Sequence, residues 1–267
     1  MQIGLYEAVS GMKAQAAYQD TLSENLGRMS VPGHKRILTA FELPPESALQ
    51  KASDAQLGGT VQSMGMKASP LQSRTVIDFS PGETKATGNS TDFAIDGGNT
   101  LFKIREADGT FSYTRDGQFH LDRNGKLTTA DGAEVMMQND TPVNLRLSDR
   151  GHLTIEKDGT VRMGDGANNQ RGSLALVHSA DPRTLFVQGE SGRFRLGDDK
   201  DAVKLQPGLD QNSVLRQGYL EDSNTDSIKS MVDLVQVVRA YEANQKSVMS
   251  QDDVTSKMIA AADPTVT

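Results

Sequence analysis

Apolar residues recur at helical spacing near both ends of the chain. From Ser223 to about Ile259 they follow steps of three and four residues, which place side chains on one face of an α-helix. That face consists of Met231, Leu234, Val238, Tyr241 and Val248, and it is widened by Ile228, Val232 and Val235. Since no proline or glycine interrupts the run, the sequence predicts a helix about 50 Å long with one apolar side.

A second helical pattern covers Gln2 to about Met29. Its repeat has heptad spacing and consists of Leu5, Ala8, Met12, Gln15, Gln19, Leu22, Leu26 and Met29. Gly27 and Pro32 end the pattern, because proline disfavours helical geometry at the residue before it. An ordinary core helix is one interpretation. The even spacing and the similar length of the C-terminal pattern favour two terminal helices that pair as a coiled coil.

Between these patterns the sequence changes character twice. Residues 37–79 have no periodicity and contain Pro44-Pro45 and Gly58-Gly59, which predicts a connector with at most short strands. Residues 80–222 switch to a period of two, with β-forming runs separated by Asp-Gly and Asn-Gly pairs that suit tight hairpin turns. No helical pattern lies between these runs, so the strands are expected to be antiparallel rather than joined by βαβ crossovers.

The predicted fold class is therefore α+β, mainly β, with an antiparallel β-domain inserted between long N- and C-terminal helices. We expect three regions. Residues 1–36 and 223–262 form a helical coiled-coil domain, residues 37–79 form the connector, and residues 80–222 form the β-domain.

Composition narrows the possible functions. The formal net charge of −7 argues against a nucleic-acid partner, which selects clustered lysine and arginine. The absence of cysteine excludes disulfides and thiolate zinc sites. No stretch is apolar enough to predict membrane insertion, and the N-terminus lacks the pattern of a cleaved signal peptide. If the protein leaves the cytoplasm, we expect another export route.

The sequence offers no convincing catalytic group. The four histidines are scattered and lack metal-ligand spacing. Asp122–Gly125 resembles the start of a calcium loop but misses the required offsets, and Ser10–Lys13 fits Ser-x-x-Lys without its companion motifs. Asp116 and Asp122 could pair as glycosidase carboxylates, but turn chemistry explains both. We therefore predict no enzyme activity, no cofactor and no metal site.

Motifs near both ends resemble those of the bacterial flagellar rod and hook family. The segment Leu22–Lys35 is similar to the family's N-terminal motif and matches it at Asn25, Leu26, Gly33 and Lys35. The same segment departs from that motif at Glu24, Arg28, Val31 and His34.

The C-terminal resemblance is tighter. Gly218–Asp226 resembles the family's Gly-x-Leu-Glu-x-Ser-Asn motif, and Met231-Val232 and Arg239–Lys246 follow at the family spacing. Three segments of the middle region also look like the β-domain signatures of rod proteins, namely Asp92–Gly97, Tyr113–Phe119 and Asp158–Val161. The resemblance leaves the distal and proximal types of rod protein open.

The resemblance implies a structural subunit of the flagellar basal-body rod that polymerises through its terminal helices into an axial tube. It implies as partners other copies of the chain, other rod and hook proteins, and the flagellar type III export apparatus. The implied location is the extracytoplasmic basal body, reached without a cleaved signal peptide. The assembly interface is expected to include Leu5, Met12, Leu22, Asn25, Leu26, Gly33, Lys35, Glu221, Ser223, Asn224, Met231, Leu234, Val238, Arg239, Tyr241, Glu242, Asn244 and Lys246.

Two other functions stay open from the residues alone. One is a secreted β-domain hydrolase acting on cell-wall glycan, which would need a cleft with paired carboxylates. The other is a soluble binding module that uses its helices as a simple dimer. A closed dimer would differ from a rod subunit because it would not polymerise.

Overall fold

The computed structural model describes residues 2–42, 72–145, 153–163, 170–189, 192–197 and 204–262. These residues divide into two compact units. Unit 1 contains the residues of Met1–Leu26, Ile37–Val76 and Ser227–Thr267, and unit 2 contains those of Gly27–Arg36 and Ile77–Asp226. The division groups the segment Gly27–Arg36 with the β-domain.

Unit 1 is built on two long helices that contact each other. Helix α1 covers Gln2–Gly27 and helix α3 covers Ser227–Ala262. Asn244 Nδ2 of α3 donates to Gln15 Oε1 of α1 across 3.1 Å. Strands β1 (Ile37–Glu42) and β2 (Gln72–Ile77) form a two-stranded sheet at the start and end of the predicted connector. The rest of that connector, residues 43–71, lies outside the described residues.

Unit 2 is built on a sheet of nine strands. Seven of them lie side by side in the order β14 (Phe186–Gln188), β15 (Phe194–Leu196), β6 (Phe111–Thr114), β5 (Thr100–Arg105), β9 (Glu134–Val135), β8 (Leu127–Thr129) and β7 (Phe119–Leu121). Strand β13 (Leu176–His178) pairs with β5 and with β16 (Gln206–Pro207). A four-residue helix, α2 (Pro182–Leu185), precedes β14.

Three smaller sheets complete unit 2. Their members are β3 (Thr84–Ala86) with β18 (Tyr219–Glu221), β4 (Phe93–Asp96) with β17 (Val214–Gln217), and β10 (Leu153–Ile155), β11 (Thr160–Met163) and β12 (Gln170–Ser173). Within unit 2 every pairing whose register is described is antiparallel. The α+β fold class, with antiparallel sheets flanked by terminal helices, is confirmed.

Local turn chemistry explains the hairpins. Asp122 Oδ1 accepts hydrogen bonds from the backbone N–H groups of Asn124 and Lys126, and this turn joins β7 to β8. The segment that resembled a calcium loop is therefore a hairpin turn. Gly117 lies close to strand β4. A Cβ at this position would lie 1.7 Å from the Phe93 carbonyl oxygen. Close backbone approach, rather than a left-handed turn, excludes a side chain at that position.

Two apolar clusters form the core of unit 2. In the larger one, Phe119 packs edge-on against Phe102, with ring centroids 5.2 Å apart, and lies 6.0 Å from Phe93. The smaller cluster contains Phe79, Tyr113, Phe186 and Phe194. Since large aromatic and aliphatic side chains fill both clusters, unit 2 buries a core of its own.

Candidate functional site: a buried ionic junction and a helix pair

Three charged side chains meet in the interior of unit 2. Lys35 Nζ lies 2.6 Å from Glu221 Oε1, and Arg115 Nε lies 2.5 Å from Glu221 Oε2. All three residues are about 2% exposed. Lys35 directly follows the loop after α1, and Glu221 ends strand β18 shortly before α3. We call this cluster of Lys35, Arg115 and Glu221 the ionic junction.

Hydrogen bonds to the backbone complete the junction. Lys35 Nζ also donates to the carbonyl of Ser80 at 2.8 Å, and the N–H of Gly82 donates to Glu221 Oε1 at 2.9 Å. The Arg115 guanidinium donates to the carbonyl oxygens of Ile95, Gly97, Gly98 and Thr100. Buried charges are tolerable when they are paired and hydrogen-bonded in this way.

The charges in the junction shift each other's protonation equilibria. Burial alone would raise the pKa of Glu221, but the adjacent Arg115 and Lys35 cations outweigh it and hold the pKa below its usual value. Burial lowers the pKa of Lys35, opposed by Glu221 and assisted by Arg115. The carboxylate between two cations is therefore the group on which the cluster depends.

Asn224 ties two chain segments together beside the junction. Its Oδ1 accepts from the backbone N–H of Arg36 at 2.7 Å, and its Nδ2 donates to the carbonyls of Asp78 at 2.9 Å and Ser80 at 3.0 Å. Ser223 Oγ accepts a hydrogen bond from the N–H of Thr225 at 3.2 Å. Ser223 and Asn224 thus organise the backbone before the C-terminal helix, which was expected to begin at Ser223, and α3 begins at Ser227.

Gly33 allows the loop after α1 to lie against the β-domain. It has a φ of 66°, and a Cβ at this position would lie 2.4 Å from the carbonyl of Arg115 and 2.5 Å from the nitrogen of Asp116. The Gly33 N–H donates to the Glu221 carbonyl at 2.7 Å. Both the left-handed backbone and the close approach require glycine.

Asn25 fixes the end of α1 within unit 1. Its Nδ2 donates to the carbonyl of Ile37 at 2.8 Å, and its Oδ1 accepts from the Ile37 N–H at 2.9 Å. The side chain is 1% exposed. Because both polar ends of the amide are satisfied by one backbone residue, Asn25 joins α1 to the start of β1.

The structure separates the predicted interface residues into buried and exposed sets. On α1, Leu22 is buried, Met12 and Leu26 are half-buried, and the side chain of Leu5 lies outside the described residues. The predicted residues of α3 that are half-buried are Leu234, Val238, Tyr241 and Asn244. The exposed ones are Met231, Arg239, Glu242 and Lys246.

Two features escaped the sequence reasoning. Among the residues of α3 whose burial is described, the buried apolar one is Val237, which was not placed on the predicted apolar face. Arg115 was quoted within a β-domain signature but was not assigned to the site. An arginine flanked by Tyr113, Thr114 and Asp116 carries little local sign that its guanidinium is enclosed. The burial of Arg115 depends on residues far from it along the chain, such as Glu221, so no local pattern predicts it.

The described part of the chain shows no group of three or more histidine or acidic side chains that could hold a metal ion. Asp122 is committed to the β7–β8 turn, while Asp116 lies in a separate small cavity lined by His34, Asp131 and Arg193 among others. No helix in the described part of the chain is long and apolar enough to cross a membrane.

Comparisons with known proteins match both the β-domain and the C-terminal helix. Residues 94–163 match the family described as flagellar hook protein FlgE/F/G D1 domain. Residues 216–263 match the family described as flagellar basal body rod FlgEFG protein C-terminal. The second match includes Glu221, Asn224 and all of α3.

Full-length relatives extend the similarity across the chain. The flagellar basal-body rod protein FlgG of Buchnera aphidicola subsp. Schizaphis graminum is 30% identical over 261 residues, covering 95% of this chain and 97% of the relative. FlgG of Bacillus subtilis (strain 168) is 29% identical over 261 residues, covering 96% and 97%. FlgF of Escherichia coli (strain K12) is 27% identical over 260 residues, covering 95% of each chain.

Proposed function

Because the chain belongs to the family of flagellar basal-body rod proteins, we propose that it assembles into an axial tube through the exposed apolar face of its terminal helices. It is a structural subunit of the flagellar basal-body rod, in a family that is not enzymatic. The alternative of a cell-wall hydrolase was therefore wrong. Membership of this family implies assembly with other rod components.

The observation that carries the proposal is an apolar face on the first half of α3. Ile228 is 77% exposed, Met231 is 54% exposed, and Val232 and Val235 are each 51% exposed. These residues follow one another at helical spacing, so they form a contiguous stripe rather than scattered contacts with water. An exposed apolar stripe of this kind marks an interaction surface. We call these four residues the α3 stripe.

Burial of the α3 stripe against a partner would be favourable because of the hydrophobic effect. Complete burial of a valine, isoleucine or methionine side chain contributes about 1.5–3 kcal/mol. Covering the remaining exposed area of four such side chains would therefore stabilise a contact by several kcal/mol. We assign this cover to terminal helices of neighbouring subunits, because a head-to-tail contact that does not close produces a filament rather than a ring.

The expected interface residues with charged or polar side chains have two proposed roles. Arg239, Glu242 and Lys246 are exposed on α3 and would form its contacts with neighbours. Lys35 and Glu221 are buried in unit 2 and Asn224 is half-buried there, and all three would act by holding the segments next to the helices in place. Copies of the chain and other rod or hook proteins are the proposed partners, and the export apparatus is a proposed transient one.

A pair of neighbouring substitutions tests the stripe. Val235→Asp places a charge on the apolar face, and we expect it to abolish rod assembly and motility while the β-domain stays folded. Gln236→Asp introduces the same charge at the adjacent exposed position and should leave assembly intact. Electron microscopy of isolated basal bodies and a swimming assay measure the outcome. Normal rods in the Val235→Asp strain would refute the proposal.

A further inference from the structure

The contact between α1 and α3 in unit 1 is not uniformly apolar. Along α3, residues at alternating steps of four and three are all buried or half-buried, namely Ser230, Leu234, Val237, Tyr241, Asn244 and Val248. On α1, Leu22 is 5% exposed, and Gln15, seven residues before it, is half-buried. We call these residues of the two helices the seam. It differs from the exposed α3 stripe because amide side chains belong to it.

The two amides of the seam are hydrogen-bonded to each other. Asn244 Nδ2 donates to Gln15 Oε1 at 3.1 Å. The same nitrogen lies beside Gly11, about one turn before Gln15, where a Cβ would be 4.0 Å away. The Asn244 amide therefore lies against a single turn of α1.

Burial on both helices favours an antiparallel pair. In an antiparallel pair, seven residues back along α3 correspond to seven residues forward along α1. On α3 this step leads from Asn244 to Val237, which is 8% exposed. On α1 it leads from Gln15 to Leu22, which is 5% exposed. A parallel pair would instead place Leu22 beside Gln251, which is exposed.

The amide pair distinguishes between registers that apolar contacts alone leave nearly equal in energy. A slip of one helical turn, about 5.4 Å, would bring one set of seam positions to the place of the next. In one direction, Asn244 would then lie opposite Gly11, which has no side chain. In the other direction it would approach Tyr18, whose ring packs edge-on against Phe41. Either slip separates Asn244 from Gln15, and an amide that loses its partner in a partly buried contact is costly.

We propose that the hydrogen bond between Gln15 and Asn244 fixes the axial register of α1 and α3 within the subunit. The pair disfavours slipped registers at a cost in stability, because two apolar side chains would contribute more to the packing of the seam. A fixed register also fixes the position of the α3 stripe along α1, and this consequence for assembly rests on the proposed function.

Engineered disulfides measure the register in the full chain, which contains no cysteine of its own. Leu22→Cys with Val237→Cys reports the observed register, since a disulfide needs Cβ atoms about 3.5–4.5 Å apart. Leu22→Cys with Leu234→Cys, or with Tyr241→Cys, reports a slip of one turn in either direction. We expect the first pair to oxidise about tenfold faster than the other two. Non-reducing gels and mass spectrometry identify the disulfides within one chain.

Replacing both amides with leucine tests the proposal. Gln15→Leu/Asn244→Leu should unfold at the same temperature as the wild type or higher, but the preference for the observed register should fall from about tenfold to about twofold. Asn244→Leu alone leaves Gln15 without its partner and should lower the unfolding temperature. Loss of register with retained stability is a result that a purely stabilising contact would not give.

Two further variants are controls. Gln15→Asn/Asn244→Gln exchanges the two amides and should keep the preference of about tenfold. Gln245→Leu places leucine at the exposed position next to Asn244 and should behave as the wild type. A Gln15→Leu/Asn244→Leu chain that keeps the full preference would overturn the proposal. Slipped reporters that oxidise as fast as the first pair in the wild-type background would also overturn it.

Spin labels at exposed positions provide a measurement that leaves the seam unchanged. Labels on Asp20→Cys and Gln251→Cys should give one narrow distance distribution by pulsed electron paramagnetic resonance. In the chain with both leucines, a second component should appear, displaced by about one helical turn. One narrow distribution in both backgrounds would overturn the proposal. The chain is unassembled in these experiments, so loss of rod assembly by Val235→Asp leaves them unchanged and the two proposals fail separately.

Discussion

The ionic junction of unit 2 and the α3 stripe of unit 1 are both energetically unfavourable arrangements, but of opposite kinds: buried charges in one and exposed apolar side chains in the other. The junction takes three charges out of water and satisfies them with each other and with backbone carbonyls. The stripe leaves four apolar side chains in water with much of their area uncovered. One region is complete within a single chain, whereas we propose that a neighbouring subunit completes the other. The comparison predicts that stability and assembly depend on different residues of the same protein.

Removing the central carboxylate should give the largest effect on stability. Glu221→Gln keeps the shape of the side chain but leaves Lys35 and Arg115 buried without a counter-charge. Breaking a buried pair in this way costs about 3–5 kcal/mol, so the free energy of unfolding should fall by that amount in urea denaturation. Asp222→Asn changes the neighbouring, more exposed carboxylate and should have little effect. Equal effects of the two substitutions would contradict the assigned role of the junction.

The glycine beside the junction should give the next largest effect. Gly33→Ala adds a methyl group against the Arg115 backbone and forces a left-handed conformation on alanine, at a cost of about 2 kcal/mol or more. Gly109→Ala has a similar positive φ but open space around the new methyl group, so it should cost about 1 kcal/mol. Thermal unfolding of both variants separates crowding from backbone strain. A Gly109→Ala variant as unstable as Gly33→Ala would show that crowding is unimportant.

The stripe should give the smallest effect on the stability of the monomer. Ile228→Ser removes an exposed apolar side chain that makes little contact within the chain, so the free energy of unfolding should change by less than about 0.5 kcal/mol. Rod assembly should nevertheless weaken, which basal-body yield measures. A large loss of monomer stability would mean that the stripe is already part of the core of unit 1.

Much of this fold was predictable because its signals are local. Helical spacing identified α1 and α3, and Asp-Gly and Asn-Gly pairs located hairpins such as the one between β7 and β8. The start of α3 was placed four residues early, at Ser223 rather than Ser227. Polar residues such as Asn224 resemble a helix cap in sequence, but here they bond to residues far away along the chain.

The ionic junction could not be predicted from the sequence, because its three residues are also far apart along the chain. Lys35 and Glu221 were each named from motif resemblance, but nothing in their spacing showed that Arg115 would join them. Val237 was missed because α3 has apolar residues on more than one face, and periodicity alone does not decide which face meets α1. The features that could not be predicted are those that depend on contacts between distant segments of the chain rather than on local propensity.

The separation of Lys35 and Glu221 by 186 positions has a consequence for synthesis and folding. A contact between residues so far apart closes a long loop, which carries an entropic cost that grows with the length of the loop. A product that stops before residue 221 would lack the carboxylate that pairs with Lys35 and Arg115. The ionic junction therefore forms only after nearly all of the chain has been made.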